Sequence, residues 1–108
     1  MPYLTTGLID NTGTGSVRQS SRLSIELANE DTSTVVIQIE GFLKCGATRV
    51  KFADEFFTLT AGTMASRDYY ILFDAFEFQF FVSSQAVKVF IWGKDVAENL
   101  TAVYEVFQ

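Results

Sequence analysis

The chain has 108 residues, 48% of them hydrophobic, with eleven Phe, four Tyr, one Trp and a single Pro. That is enough for one hydrophobic core and not for two, and too apolar for a disordered or Pro-rich segment. A net charge of −5 and the absence of His argue against a nucleic-acid partner, since phosphates need a concentrated positive patch, and remove the commonest general base and transition-metal ligand.

The N-terminus has neither a basic n-region nor a continuous apolar h-region, and no stretch approaches the ~20 apolar residues of a membrane span. The expectation is a chain without an export signal and outside the membrane. Tyr3, Leu4, Leu8 and Ile9 lie in a segment with no charge before Asp10. Asp10 to Ser16, DNTGTGS, follows as the most linker-like stretch. The segment reads either as a first strand followed by a loop or as an arm that leaves its own domain. On the second reading residues 1–19 are a connector arm and linker, residues 20–108 are the folded domain, and the arm adds to an open sheet edge of a neighbouring copy.

From residue 20 onward the two-residue period of half-buried strands dominates. Leu23, Ile25 and Leu27 alternate with Ser24 and Glu26, and Val35, Ile37 and Ile39 with Val36, Gln38 and Glu40. Gly41 reads as a bulge that re-phases Phe42. Arg49–Phe52 and Phe56–Thr60 read as two short strands broken by Ala53-Asp54-Glu55, and Met64–Phe73 as the next. Phe76, Phe78, Phe80 and Val82, then Val87, Val89 and Ile91, read as a β-hairpin closed by Ser83–Ala86. Leu100, Ala102, Tyr104 and Val106 close the chain. The pattern predicts an all-β, jelly-roll-like β-sandwich of eight or nine strands with an extended N-terminal arm.

Chemistry is sparse. Gly13-Thr14-Gly15-Ser16 lacks the spacing of a phosphate loop. Asp54, Glu55, Asp74 and Glu77 are the carboxylates from which an acid–base pair could be drawn, but they sit at turns and on a solvated strand face. Without His no conventional triad can be built. The expectation is therefore no enzyme, with no catalytic residue, cofactor or metal. Cys45 stands alone, so no intrachain disulfide forms; it is a free thiol or an intermolecular bridge. Asn99-Leu100-Thr101 matches a glycosylation sequon and reads as a turn and strand. Trp92 reads as a core or interface residue, with a sugar-stacking platform as the alternative. Phe81, Phe90, Trp92, Val103 and Phe107 fall on faces opposite the inner sets. Either some strands are mis-phased, or these residues are an interface between copies.

The run Phe76-Glu77-Phe78-Gln79-Phe80, then Val89-Phe90-Ile91-Trp92-Gly93-Lys94-Asp95 and Asn99-Leu100-Thr101-Ala102, resembles small β-domains of spore-forming Firmicutes. So do Arg22-Leu23-Ser24-Ile25, Leu27-Ala28-Asn29 and the strand from Thr34 to Ile39. Their architecture is similar to that of endospore appendage subunits, jelly-roll proteins whose N-terminal connector docks on other subunits. The resemblance implies a homopolymer of copies of this chain and a fibre on the spore surface, built inside a mother cell, with an anchoring or tip protein as a further partner. Residues 1–19 lack the connector cysteines of such subunits, so the axial joints are expected to be non-covalent. The alternatives are a carbohydrate- or ligand-binding sandwich and a viral or phage jelly-roll structural protein.

Overall fold

A computed structural model of the chain describes residues 3–12, 20–71 and 74–108. Outside that description lie Pro2, the linker residues 13–19 with their Gly13-Thr14-Gly15-Ser16 stretch, Leu72 and Phe73, and the side chain of Cys45. The described residues form nine strands: β1 (Tyr3–Thr5), β2 (Ile9–Asp10), β3 (Arg22–Asn29), β4 (Val35–Cys45), β5 (Thr48–Leu59), β6 (Met64–Tyr70), β7 (Ala75–Val82), β8 (Val87–Lys94) and β9 (Leu100–Tyr104).

These strands make two antiparallel sheets packed as a β-sandwich. Sheet A runs β1-β7-β4-β5, with β2 also on β7, and sheet B runs β6-β3-β8-β9. The strict alternation of β3 and β7 explains the packing. Leu23, Ile25 and Leu27 from sheet B and Phe76, Phe78 and Phe80 from sheet A are at most 1% exposed. With Ile37, Ile39, Ile71 and Ile91 they form one cluster. Each fully buried side chain of this size stabilises by ~1.5–3 kcal/mol.

The hairpin expected from Phe76 to Ile91 does not form. β7 pairs with β4, β1 and β2, while β8 pairs with β3 and β9. Ser83–Ala86 instead carries the chain from one sheet to the other. Its Ser83 amide donates to Val36 O at 3.0 Å, and Ala86 O accepts from the Glu30 amide at 3.0 Å. The connector is thus tied to a different neighbour at each end. The apolar sides of β7 and β8 meet across the core rather than side by side.

The two short strands expected around Ala53-Asp54-Glu55 are one strand, β5, because a bulge absorbs the break. Gly41 pairs with Ala53, but Phe42 pairs with Lys51, leaving Phe52 as the extra residue. Gly41 is required there: a Cβ would stand 2.9 Å from Phe78 Cε1 and 3.1 Å from both Phe52 and Ala53 side-chain atoms. The re-phased Phe42 turns to the outer face of sheet A. There it is 8% exposed, roofed by the Arg49 guanidinium 4.1 Å from its ring centroid.

The expected core is otherwise found, with one exception. Leu100 is 61% exposed. A register shift at Gly93/Lys94 pairs Gly93 with Ala102 but Lys94 with Leu100, so Leu100 leaves the inward phase of its strand. Phe57, Val89 and Tyr104 pack on the core from half-buried positions.

Candidate functional site

The N-terminal segment lies on the sandwich of its own chain, as the outermost strand pair of sheet A, rather than extending away from it. β7 has a free edge there, and the uncharged segment fills it. Tyr3, Leu4 and Thr5 pair with Phe81, Phe80 and Gln79, and Ile9 and Asp10 with Phe76 and Ala75. Leu4 and Ile9 pack against the core cluster. The Tyr3 ring meets Phe81 on the outer face, centroids 4.9 Å apart. Leu8 alone of the four expected docking residues points away, at 61% exposure.

The registers of β1 and β2 differ by one residue, and Thr6 and Gly7 take up the difference. Thr6 is 8% exposed and replaces a backbone partner with its side chain: its Oγ1 accepts the Phe78 amide at 3.0 Å and donates to Gly7 O at 2.8 Å. Gly7 has φ 66°, where any Cβ is strained. Beyond β2, Asn11 is fully buried. Its Nδ2 donates to Ser20 O at 2.8 Å and to Ile71 O at 3.1 Å, and its Oδ1 accepts the Ser20 amide at 2.9 Å. One side chain thus ties the two ends of the linker together. Thr6, Asn11 and Ser20 escaped the sequence reading, because a polar residue buried by distant partners leaves no periodic signal.

The five residues expected at an interface divide. Phe90, Trp92 and Val103 share the outer face of sheet B, where Trp92 is opposite Val103. They line a groove of about 360 Å³ with Glu105 and Val106. Phe81 is on the other outer face under Tyr3. Phe107 is 56% exposed and bridges to Thr5 through its backbone.

The sandwich's β5–β6 side is bracketed by charge. Glu55 accepts from Arg67 Nε at 3.0 Å and from the Tyr69 hydroxyl, and the Arg67 guanidinium stands 4.4 Å from the Phe57 ring centroid. Burial, and then the Glu55 carboxylate, push the Tyr69 hydroxyl well above the ordinary tyrosine range. Elsewhere Glu77 holds Arg49 at 2.9 Å and Asp54 accepts from Gln38 at 3.2 Å. Asp74 lies with Asp10 and Lys44 on a cavity of about 560 Å³. The four carboxylates are therefore not gathered at one cleft. Among the described residues no group of three or more Cys, Asp or Glu side chains could hold a metal ion.

Comparison of the chain with protein-family models, with curated proteins and with solved structures returns no match.

Proposed function

We propose that the chain is a structural subunit that assembles with copies of itself by strand exchange, the N-terminal segment of one copy lying beside β7 of the next. The observation that carries this reading is the detachable character of β1 and β2. They pair with β7 over three and two residues and, beyond it, with Phe107 at one bridge, are interrupted by a bulge, and are joined to the rest through residues 12–19. An arm from a second copy makes the same contacts as the chain's own, so exchange conserves the contact energy. Linker strain and concentration then decide between closed monomers and joined copies. Head-to-tail exchange whose rotation does not close into a ring gives a fibre.

The open edge of β9 supports sideways growth by strand augmentation. β9 carries no charge from Leu100 to Tyr104, whereas β5 and β6 are protected by Arg49, Lys51, Asp54, Glu55, Arg67 and Asp68. The resemblance to endospore appendage subunits supports a jelly-roll strand order, a fibre on the spore surface and an anchoring or tip protein as a second partner.

The test is a reversible lock. In a Cys45→Ser background, Tyr3→Cys with Phe81→Cys fastens β1 to its own β7 when oxidised. Negative-stain microscopy should find monomers in the locked protein and filaments after reduction. Filaments of equal length from the oxidised, intramolecularly cross-linked protein would refute exchange.

A further inference from the structure

The two outer faces of the sandwich treat their aromatic residues in opposite ways. On sheet A the charges around Phe42 are satisfied: Arg49 roofs the ring and binds Glu77, and Lys51 binds Glu40 at 2.6 Å. On sheet B the outward side of β8 reads Lys88, Phe90, Trp92, Lys94. Phe90 is 46% exposed, and its ring lies nearly parallel to that of Trp92, 13° apart in plane with centroids at 6.1 Å. Glu26 stands opposite Phe90 across the strand pair, and Glu105 lines the groove beside it. Among the described residues the side chains of Lys88, Lys94, Glu26 and Glu105 make no hydrogen bond or ion pair. Trp92 also walls a second, polar groove of about 280 Å³ that includes Ser24 and Asp68.

We propose that this face binds an uncharged pyranose oligosaccharide. A sugar ring presents a face of polarised C–H groups, which suits the negative face of an aromatic ring, and a rim of hydroxyls that both donate and accept. The shelf matches both parts: Phe90 and Trp92 for the ring faces, free carboxylates of Glu26 and Glu105 to accept, and free Lys94 to donate. Arg22 and Arg67 also wall the second groove, but each is already paired, with Glu98 and Glu55, and the two lysines against two glutamates that remain unpaired leave no bias toward an acidic glycan. A protein partner fits less well, because interface cores are depleted of charge and covering four unpaired charges is costly. The inference is independent of the assembly reading.

Trp92 is the only tryptophan, so its fluorescence reports on the site directly. The full chain is titrated to millimolar concentration with cellohexaose, chitohexaose and maltohexaose, and with oligogalacturonate as the charged control. At least one neutral sugar should produce a saturable blue shift. Phe90→Ala should weaken that binding by roughly tenfold, and Glu26→Gln should weaken it with the circular dichroism spectrum unchanged. No shift with any neutral sugar, a shift untouched by both substitutions, or an equal response to the charged control overturns the proposal. So does a Phe90→Ala protein that loses filaments while its sugar response is unaltered, which assigns the face to a second copy. Sugar binding by a chain that never forms filaments leaves this site standing and the assembly reading refuted.

Discussion

Thr5 and Phe107 exchange two backbone hydrogen bonds, each 2.8 Å long, so the two ends of the chain meet along the outer edge of sheet A. β1 is thereby held on both sides, by β7 along three residues and by Phe107 at one. Phe107→Pro removes the donor to Thr5 O without touching the core. The expected loss is ~1 kcal/mol, confined to the segment. Hydrogen exchange should show the Thr5 amide opening roughly fivefold faster while the amides of β3 keep their protection.

Thr6 stands in for a strand residue at the bulge, so its hydroxyl matters more than its shape. Thr6→Val keeps the volume but leaves the buried Phe78 amide without its 3.0 Å acceptor. Urea denaturation should show a loss of ~1–3 kcal/mol. Thr6→Ser, which retains the oxygen, should recover most of it.

Asn11 serves three backbone groups from a fully buried position. Asn11→Ala strands all three and opens a small void. It should cost ~3 kcal/mol by equilibrium denaturation, far more than a change at exposed Leu8. Because the lost bonds also hold the N-terminal segment at home, the variant should exchange strands more readily than the parent.

Tyr69 gives the fold an alkaline limit. Its folded pKa is raised, by burial first and the Glu55 carboxylate second. Its contribution is therefore complete below the unfolded tyrosine pKa of ~10 and is lost as pH rises from there toward the folded value. In an ultraviolet titration, Tyr69 should resist ionisation until the protein unfolds. Tyr69→Phe should remove that late step.

Much of the fold was legible because β3, β4 and β7 bury one face against a single core. Leu23, Ile25 and Leu27, or Phe76, Phe78 and Phe80, then declare that face by simple alternation. Alternation states which side of a strand is inward, and nothing about which strand lies next to it. Ser83–Ala86 is equally long enough to turn within a sheet or to arch between sheets, and only its bonds to Val36 and Glu30 decide. Bulges defeat the pattern in a second way. At Gly41 the glycine signalled one. At Gly93/Lys94 the shift falls in a run that reads as regular strand, and Leu100 changed sides unannounced. At the candidate site, Tyr3, Leu4 and Ile9 were visible as an apolar group, but the partner that holds them was not. Thr6, Asn11 and Ser20 depend on residues far away in the chain, so no local window contains both halves of their bonds.

The pairing of Thr6 with Phe78 spans 72 positions, and that distance sets a clock. A ribosome adding ~5–20 residues per second delivers β7 on the order of 10 s after the segment meant to cover its edge. For that interval β1 and β2 lack the β7 edge that they pair with. Loop closure across so long a span is also slow compared with folding of local turns. Under the proposed exchange, nascent copies crowded on one message would trade strands before either closes, whereas isolated copies would close on themselves. On the proposed exchange, the balance between fibre and monomer is then set largely during synthesis, by how near the next copy is being made.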